Sequence, residues 1–556
     1  MMLNNQWKEM SEKLYSQQPL GIRHSLVDDL ELDSLGLPGT LADSERTLPG
    51  LAGRSFWSVN LGQKDIFSEE FCKRCEAALF INQNFMPNEE LQSNQFYFAS
   101  STDLCSFKTD FMSRYENQKM KVHLGVEPYG LGLWQSLVWK STIDLKILEM
   151  DNLDSLFRLS SLPYNLAGAS EIQELAILLS GLIQLFEDYD GFLTPSQILS
   201  TTAYELALDS NFLAGVAKIQ ALQLLTARIH ELESIDQTLS PIFCIFSPRF
   251  LSRREPWNNI LRLTSAHMSA CIGGAAGIVN LPYDVLSKAE GGRLSRNIDL
   301  ILQQESYLNQ VQQPTLGSHC VDTFVNKLCE KAWTFFQEIQ SKGGLKASLR
   351  SGWLQEEIER NETEQKEKFR SRKMKIVGVN DFVLNKASDP SYPLLQSDQV
   401  LDVEAWWLGF QIDNKAEKLF EVKKLKPSLL SEKFERRQFF ADSLRKESSE
   451  HVCFQLVREP NFDGNQKISN IKKILGLLGF DLSEEGPSLL GTIVVAADPE
   501  SDFAKTYRDK HQALERPGLL LWGGEKNFPT YDGYVGLGTD LNELFSIIQK
   551  HCKETM

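Results

Sequence analysis

The chain has 556 residues, of which 42% are hydrophobic and 24% are charged, a balance typical of a soluble protein with about two to four domains. Its 58 Lys and Arg residues against 74 Asp and Glu residues give a net charge of −16. An acidic surface repels phosphate groups, which argues against nucleic acid and membrane as main partners and means that an acyl-CoA site would need a local basic cluster.

The start of the chain carries no sign of a secretory signal, because its first ten residues are polar. The most apolar stretch, 175–186, is interrupted by Ser180, Gly181 and Gln184 and is too short to span a bilayer. Nine scattered cysteines, an odd number, fit reduced thiols better than a disulfide framework. We therefore expect a cytoplasmic protein. We also expect residues 1–55, which precede the first alternating segment, to form an N-terminal arm.

From 56 to 350, short β-rich runs alternate with longer segments of helical periodicity. The β-rich runs include 96–101, 121–126, 145–148 and 241–246. One helical stripe lies within 213–225, and another lies within 324–339 and ends before Gly343-Gly344. Repeated alternation predicts parallel strands joined by helical crossovers, and its length favours a (β/α)8 TIM-type barrel over 56–350.

The next hundred residues, 351–450, are strongly charged, and we interpret them as a charged helical linker whose first helix, within 355–372, is solvated. Residues 451–556 form the last predicted domain. Its predicted strands are 452–457, 492–496 and 519–522, and its predicted helices are 468–478, ending at Gly479, and 541–549. This alternation predicts a smaller flavodoxin-like α/β domain.

A set of segments, in constant order, then points to a known family. The run E-P-W-N-N-I-L-R at 255–262 resembles the E/Q-D-P-Y-N-N-I-V-R segment of methylmalonyl-CoA mutases. The run R-L-S-R-N-I-D-L-I-L-Q-Q-E-S at 293–306 resembles their R-I-A-R-N-T-Q-L-I-I-Q-E-E-S, and Val377 to Asn380 matches a later G-V-N. Upstream, G-V-E-P-Y-G at 125–130 resembles the L-G-L-D-P-I-G of the small subunit. Ala167-Gly168-Ala169 fits the end of the family's Y-H-x-x-x-A-G-A.

The resemblance extends into the last domain, where it implies a cobalamin-binding-type fold. F-D-G-N-Q-K at 462–467 falls where the family carries the D-x-H-x-x-G loop, whose histidine coordinates cobalt and whose aspartate orients that histidine. Here Asp463 is kept, but the ligand position is Asn465, and Ile468 replaces the closing glycine. Gly523-Gly524 corresponds to a glycine pair near the corrin tail.

Several functional positions depart from the family pattern. A carboxamide nitrogen is a far poorer cobalt ligand than imidazole, so Asn465 predicts that cobalamin does not bind here. The family's catalytic histidine falls on Pro163 or, with a gap, on Asn165, and a second family histidine falls on Val279. The substrate-positioning R-P-W-T-x-R-Q-Y motif has no counterpart within 51–67. No catalytic residue, metal ligand or intact cofactor site is therefore expected, and Asp463, Asn465, Gly523 and Gly524 are degenerate counterparts.

Other candidate sites have simpler interpretations. Asp509-Lys510-His511 also reads D-x-H but lies in an apparent helix, so an exposed helix histidine is the simpler interpretation. Cys72 and Cys75 form a single C-x-x-C, which does not predict zinc. His267 is interpreted as a packed or hydrogen-bonded residue. The arginines that follow the run 241–246 could bind an anion or form salt bridges: Arg249, Arg253 and Arg254.

The resemblance implies a small, non-catalytic subunit that pairs as a heterodimer with a large catalytic subunit. That partner would carry adenosylcobalamin and the acyl-CoA substrate, and would interconvert (R)-methylmalonyl-CoA and succinyl-CoA. Two alternatives remain open. One is a catalytically active acyl-CoA mutase in its own right, and the other is a homo-oligomeric barrel with an unrelated ligand.

Overall fold

The structure is a computed structural model of the 556-residue chain. It describes the following residues: 23–27, 30–33, 57–61, 78–80, 96–100, 121–126, 129–130, 133, 137–139, 153–235, 240–286, 292–308, 314–315, 317–383, 418–447, 453–460, 464–483, 490–496, 498–512, 519–523, 530–536 and 539–555. Two compact units emerge from the contacts. The first comprises Met1–Leu251, Asn259–Lys366 and Leu401–Leu429, and the second comprises Ser252–Asn258, Glu367–Val400 and Leu430–Met556.

Eight strands of the first unit pair side by side in an order that closes on itself, β10-β11-β3-β4-β5-β6-β8-β9. Every neighbouring pair in this ring is parallel. The strands are β3 (Trp57–Leu61), β4 (Ala78–Phe80), β5 (Phe96–Ser100), β6 (Lys121–Val126), β8 (Leu153–Ser160), β9 (Thr202–Leu208), β10 (Ile242–Phe246) and β11 (Gly277–Asn280).

Four further strands form two small antiparallel pairs in the same unit. One pair is a hairpin of β1 (Arg23–Val27) and β2 (Leu30–Asp33). The other joins β7 (Leu137–Trp139) to β12 (Lys418–Glu421), which is far away along the chain. The second pair brings part of the charged segment 351–450 into the first unit.

The described helices of the first unit lie between the later ring strands and after the last of them. They are α1 (Leu162–Leu166), α2 (Glu171–Asp188), α3 (Pro195–Ser200), α4 (Phe212–Leu232), α5 (Trp257–Gly273), α6 (Gly292–Gln304), α7 (His319–Ser341), α8 (Gly344–Ser351) and α9 (Trp353–Arg370), although the ends of α5 and α9 belong to the second unit. A capping box of Ser170 and Gln173 starts α2, and the side chain of Asn211 caps α4. These caps fix where each helix leaves its strand.

Helix α4 is long and apolar enough to cross a membrane, judged by length and composition alone. However, 72% of its most apolar window is buried inside the protein, and the core helix of a globular protein passes the same test. It is the only such helix in the part of the chain that the structure describes.

Helix α9 differs from the solvated helix that its charge pattern predicts. Its buried residues recur at helical spacing and include polar side chains: Leu354, Gln355, Ile358, Glu362, Gln365 and Phe369. The expectation of a solvated helix is therefore wrong for one face, because tertiary partners bury it. The segment 351–450 is also divided between the two units rather than forming a unit of its own.

The second unit contains a parallel five-stranded sheet with the order β14-β13-β15-β16-β17. Its strands are β13 (Cys453–Arg458), β14 (Asp481–Ser483), β15 (Gly491–Val495), β16 (Leu519–Trp522) and β17 (Gly533–Tyr534). Its helices are α10 (Glu432–Glu447), α11 (Asn465–Leu478), α12 (Asp502–Gln512) and α13 (Leu541–Thr555). Gly479 ends α11 at a φ of 86°, which fits the predicted helix stop.

The predicted α/β class with parallel sheets is confirmed. The strands predicted at 121–126 and 519–522 have the observed bounds, and those at 96–101 and 241–246 differ by one residue. Helix α11 begins three residues earlier than predicted, and α13 continues six residues further. The strand predicted at 145–148 and the C-x-x-C of Cys72 and Cys75 lie outside the described residues.

Candidate functional site

Polar side chains gather where strands β8, β9 and β10 end. The three strands are neighbours, and Ser160, the last residue of β8, lies beside Glu205 in the middle of β9, which lies beside Phe243 near the start of β10. Because parallel strands share one carboxyl edge, the residues that follow them meet at the same end of the ring. This end is where ligand sites form in barrels of parallel strands, so its polar residues are the candidate site.

A buried trio occupies the inner side of β8 and β9. Ser160 Oγ donates to Glu205 Oε1 at 2.6 Å, and Arg158 Nη1 lies 3.4 Å from Glu205 Oε2. Phe157 contacts the ring of Tyr189, and Leu159 lies beside Gly181 of α2. Because side chains alternate along a strand, Arg158 and Ser160 face away from that helix, towards the inside of the ring. The Glu205 carboxylate is therefore bonded to side chains of its own chain.

A second buried ion pair links α4 to α2. Lys218 Nζ lies 2.8 Å from Glu174 Oε1 and donates to the carbonyl oxygen of Ala207, at the end of β9, also at 2.8 Å. Asn165 Nδ2 donates to the same Glu174 oxygen at 2.8 Å. The amide of Asn165, one of the two positions that match the family's catalytic histidine, is thus bonded to a carboxylate of its own chain.

Two half-buried carboxylates, Glu171 and Asp209, lie near this ion pair, so three acids surround one ammonium group. Burial raises the pKa of Glu171 to about 8, against the opposing charge of Lys218 and with the support of Asp209. Burial also raises the pKa of Glu174 and of Asp209, although Lys218 lowers both. The cluster therefore retains a proton near neutral pH, carried in large part by Glu171.

Arg249, three residues after β10, is 1% exposed and meets residues of two later segments. Its guanidinium donates to the Glu362 carboxylate, to Gln365 Oε1 at 2.9 Å, and to the carbonyl oxygen of Ser428 at 3.2 Å. Burial alone would raise the pKa of Glu362, but the charge and hydrogen bonds of Arg249 outweigh burial and lower it. Arg249 is thus held by its own chain.

Gly168, of the A-G-A segment, lies against the same carboxylate. A Cβ atom at Gly168 would stand 2.5 Å from the Cβ and the Oε2 of Glu362, and the glycine has a φ of 104°. Asn361 Nδ2 also donates to the carbonyl oxygen of Gly168 at 2.7 Å. The glycine is needed here because α9 packs directly on the turn between α1 and α2.

In the second unit, the segment 252–258 is held by α10. Arg254 Nε lies 2.9 Å from Asp442 Oδ2, and both side chains are fully buried. Ser252 Oγ and the backbone N–H groups of Arg253 and Arg254 donate to Glu435 Oε1. Salt bridges, one of the two roles expected for the arginines after β10, are therefore confirmed for Arg249 and Arg254.

The other sequence-predicted positions in the first unit are packed inside it. Pro163 lies in α1 and Val279 in β11, and both are buried. His267 is fully buried, and its Nδ1 lies 2.5 Å from Asp299 Oδ1. The expectation that His267 is a packed or hydrogen-bonded residue is confirmed.

The residues that correspond to the cobalamin loop do not fit a corrin in the part that is described. Asn465 is the first residue of α11, and its Oδ1 lies 3.4 Å from Arg458 Nη1. Ile468 is buried, and a Cβ atom at Gly523 would stand 2.5 Å from Val495 Cγ2 and 2.9 Å from Ile471 Cδ1. The space beside Gly523 is therefore filled by the chain itself. Asp463 and Gly524 lie outside the described residues.

The alternative D-x-H register falls within α12, and its Asp509 is exposed, as an apparent helix predicts. The side chain of His511 lies outside the described part of the structure. Among the described residues, no group of three or more His, Cys, Asp or Glu side chains could hold a metal ion.

Several charged residues that meet around β8, β9 and β10 are marked by no motif in the sequence. They are Arg158, Glu171, Glu174, Glu205, Asp209, Lys218 and Glu362. A signal existed for two of them. Lys218 interrupts an apolar helical stripe, and Glu205 interrupts the apolar run of β9, so each predicts a buried charge with a partner.

Comparison with known proteins gives a partial match. Residues 140–405, just under half of the chain, match the family model described as methylmalonyl-CoA mutase. The chain is 34% identical over 229 residues to the methylmalonyl-CoA mutase small subunit of Streptomyces virginiae, a match that covers 40% of this chain and 37% of that protein.

Two further relatives extend the comparison. The methylmalonyl-CoA mutase of Rhizobium meliloti is 29% identical over 266 residues, which is 47% of this chain and 35% of that protein. The methylmalonyl-CoA mutase small subunit of Propionibacterium freudenreichii subsp. shermanii is 28% identical over 226 residues, 39% of this chain and 35% of that protein. The matches span about a third to a half of the length of these and other curated relatives.

Proposed function

We propose that this chain is the small, non-catalytic subunit of an adenosylcobalamin-dependent methylmalonyl-CoA mutase. It pairs with a homologous large subunit that holds the cofactor and the acyl-CoA and interconverts (R)-methylmalonyl-CoA and succinyl-CoA. On this proposal the ring of eight strands is a TIM-type acyl-CoA mutase barrel. The five-stranded sheet belongs to a degenerate cobalamin-binding-like domain.

The observation that carries the proposal is the residue at the cobalt-ligand position. Asn465 offers an amide in place of an imidazole, and its side-chain oxygen lies 3.4 Å from the guanidinium of Arg458. The first unit supports the same reading, since Asn165 bonds to Glu174 and the family's second histidine position is the buried Val279. Relatives named as small subunits of a mutase add support from comparison.

The proposal is tested by purifying the chain alone and together with a large mutase subunit encoded beside it. We expect cobalamin absorbance and conversion of (R)-methylmalonyl-CoA to succinyl-CoA in the complex, and neither in the lone chain. Turnover by the lone chain would instead favour the alternative, an active mutase in its own right.

A second measurement addresses position 465 directly. In the complex, Asn465→Ala should leave cobalamin content and turnover within about twofold of the wild type, because the amide holds no cobalt. The electron paramagnetic resonance spectrum of the lone chain with cob(II)alamin should show no axial nitrogen from the protein. Such a nitrogen, lost in Asn465→Ala, would overturn the proposal.

A further inference from the structure

The carboxylate of Glu362 is surrounded by donors from separate parts of the first unit. Arg249 donates to Oε2, Ser428 Oγ donates to Oε1, and Lys366 Nζ lies 2.5 Å from Oε1. We call Arg249, Lys366 and Ser428 the Arg249 site. Both oxygens of the carboxylate are therefore bonded, by three different side-chain types.

The three side chains of the Arg249 site form a set of donors that suits a carboxylate group. A guanidinium, an ammonium and a hydroxyl supply directed hydrogen bonds and two positive charges, which is more than one carboxylate needs for neutrality. The set is also placed where ligands bind in barrels of parallel strands, since Arg249 follows the carboxyl end of β10.

The Arg249 site fits a carboxylate group and is open at one side. Gly168 leaves no room for a Cβ atom beside Glu362, so the glycine forms one wall. The side chain of Arg249 is 1% exposed and that of Glu362 is 11% exposed, whereas that of Lys366 is 44% exposed. A small anion could therefore reach the site from the side of Lys366 once the glutamate carboxylate is removed.

We propose that the Arg249 site is a carboxylate-binding site that the chain fills with its own Glu362. Helix α9 supplies this internal occupant, so external carboxylates do not reach Arg249 in the wild type. When the side chain is shortened to alanine, the site takes a free carboxylate such as acetate. The inference does not rest on the mutase assignment, because it concerns the lone chain.

The test measures the thermal midpoint of the full chain in sodium acetate against sodium chloride of equal ionic strength. Glu362→Ala should gain several degrees in about 50 mM acetate, with a dissociation constant of roughly millimolar, because a ligand bound only to the folded state stabilises it. The wild type should shift by less than about 1 °C, since its site is filled.

Two controls make the result specific. Glu359→Ala removes an exposed carboxylate of the same helix, which pairs with Lys423, and should gain no response to acetate. The double variant Glu362→Ala with Arg249→Met should lose the response because the guanidinium is gone. An equal response in the wild type, in Glu359→Ala or in the double variant would overturn the proposal.

If Glu362→Ala does not fold in chloride, the recovery of folded protein after refolding in acetate becomes the measurement. Recovery in acetate but not in chloride supports the site, and equal failure in both salts contradicts it. No partner or cobalamin enters these experiments, so a negative result would leave the proposed function standing.

Discussion

Lys218 and Glu174 form an ion pair of 2.8 Å whose side chains are 4% and 1% exposed, and it joins α4 to α2 beneath the ends of β8 and β9. Two further carboxylates, Glu171 and Asp209, lie near the same ammonium group. Lys218 therefore supplies the positive charge that offsets these three carboxylates.

Removing that cation should destabilise the protein strongly. Lys218→Met would leave Glu174 buried without its charge partner, and we expect a loss of about 3–5 kcal/mol in the free energy of unfolding. Urea unfolding measures the loss. Arg228→Met, which breaks an exposed pair with Glu231, should cost less than about 1 kcal/mol. Similar losses in the two variants would show that the buried pair contributes no more to the free energy of unfolding than the exposed pair does.

Stability should fall as pH rises through neutrality. Burial raises the pKa of Glu171 to about 8 in the folded protein, from an ordinary value of 4.5 in the unfolded chain. The folded state therefore binds more protons than the unfolded state between these values, so the contribution of Glu171 is full below about pH 4.5 and is lost as pH rises through about 8.

The measurement is the free energy of unfolding at pH 6 and pH 8.5 for the wild type and for Glu171→Gln. The variant carries no proton to lose at this position, so its decline between the two pH values should be smaller. An identical decline in both proteins would mean that Glu171 does not titrate in this range.

Gly168→Ala should be among the more damaging glycine substitutions in the first unit. The new Cβ would stand 2.5 Å from the Cβ of Glu362 at a φ of 104°, which combines a clash with backbone strain. We expect a loss of more than about 2 kcal/mol. Gly191→Ala is the matched control, because its φ is 77° but nothing lies within 4 Å. It should cost only about 1 kcal/mol.

Gly523→Ala tests packing in the second unit. The added methyl group would stand 2.5 Å from Val495 Cγ2 and 2.9 Å from Ile471 Cδ1, so overpacking should cost about 1–3 kcal/mol. Gly533→Ala, whose Cβ would be 3.2 Å from the end of Ile547, should cost less. A neutral Gly523→Ala would indicate that space exists there, as a corrin tail would need.

Local patterns in the sequence predict several elements well but not the charged partners. The strand 519–522 is readable because its apolar run lies between Pro517-Gly518 and Gly523-Gly524, and the strand 121–126 is readable because apolar residues alternate along it. Glu362, by contrast, stands in a run of mixed charges that looks solvated. Contacts with residues far away along the chain bury it: Gly168, Ser428 and Arg249, which lies 113 residues earlier.

The same limit applies to the candidate site. The family resemblance leads to Asn165, yet the bond from Asn165 to Glu174 depends on how α1 and α2 fold back on each other. The raised pKa of Glu171 comes from its burial, which the charge of Lys218 on a later helix opposes and Asp209 after β9 supports. Hydrogen bonds and pKa shifts of this kind depend on which residues are close together in the folded protein, and the spacing of residues along the chain does not reveal that.

Ser428, which accepts hydrogen bonds from Arg249, follows it by 179 residues. At a synthesis rate of roughly 5–20 residues per second, the ribosome needs roughly 9 to 36 s to add them. In that interval the growing polypeptide also makes Glu367–Val400, which belongs to the second unit. The first unit thus completes its packing late in translation, and a nascent chain truncated before Leu401 would carry an arginine still short of one partner.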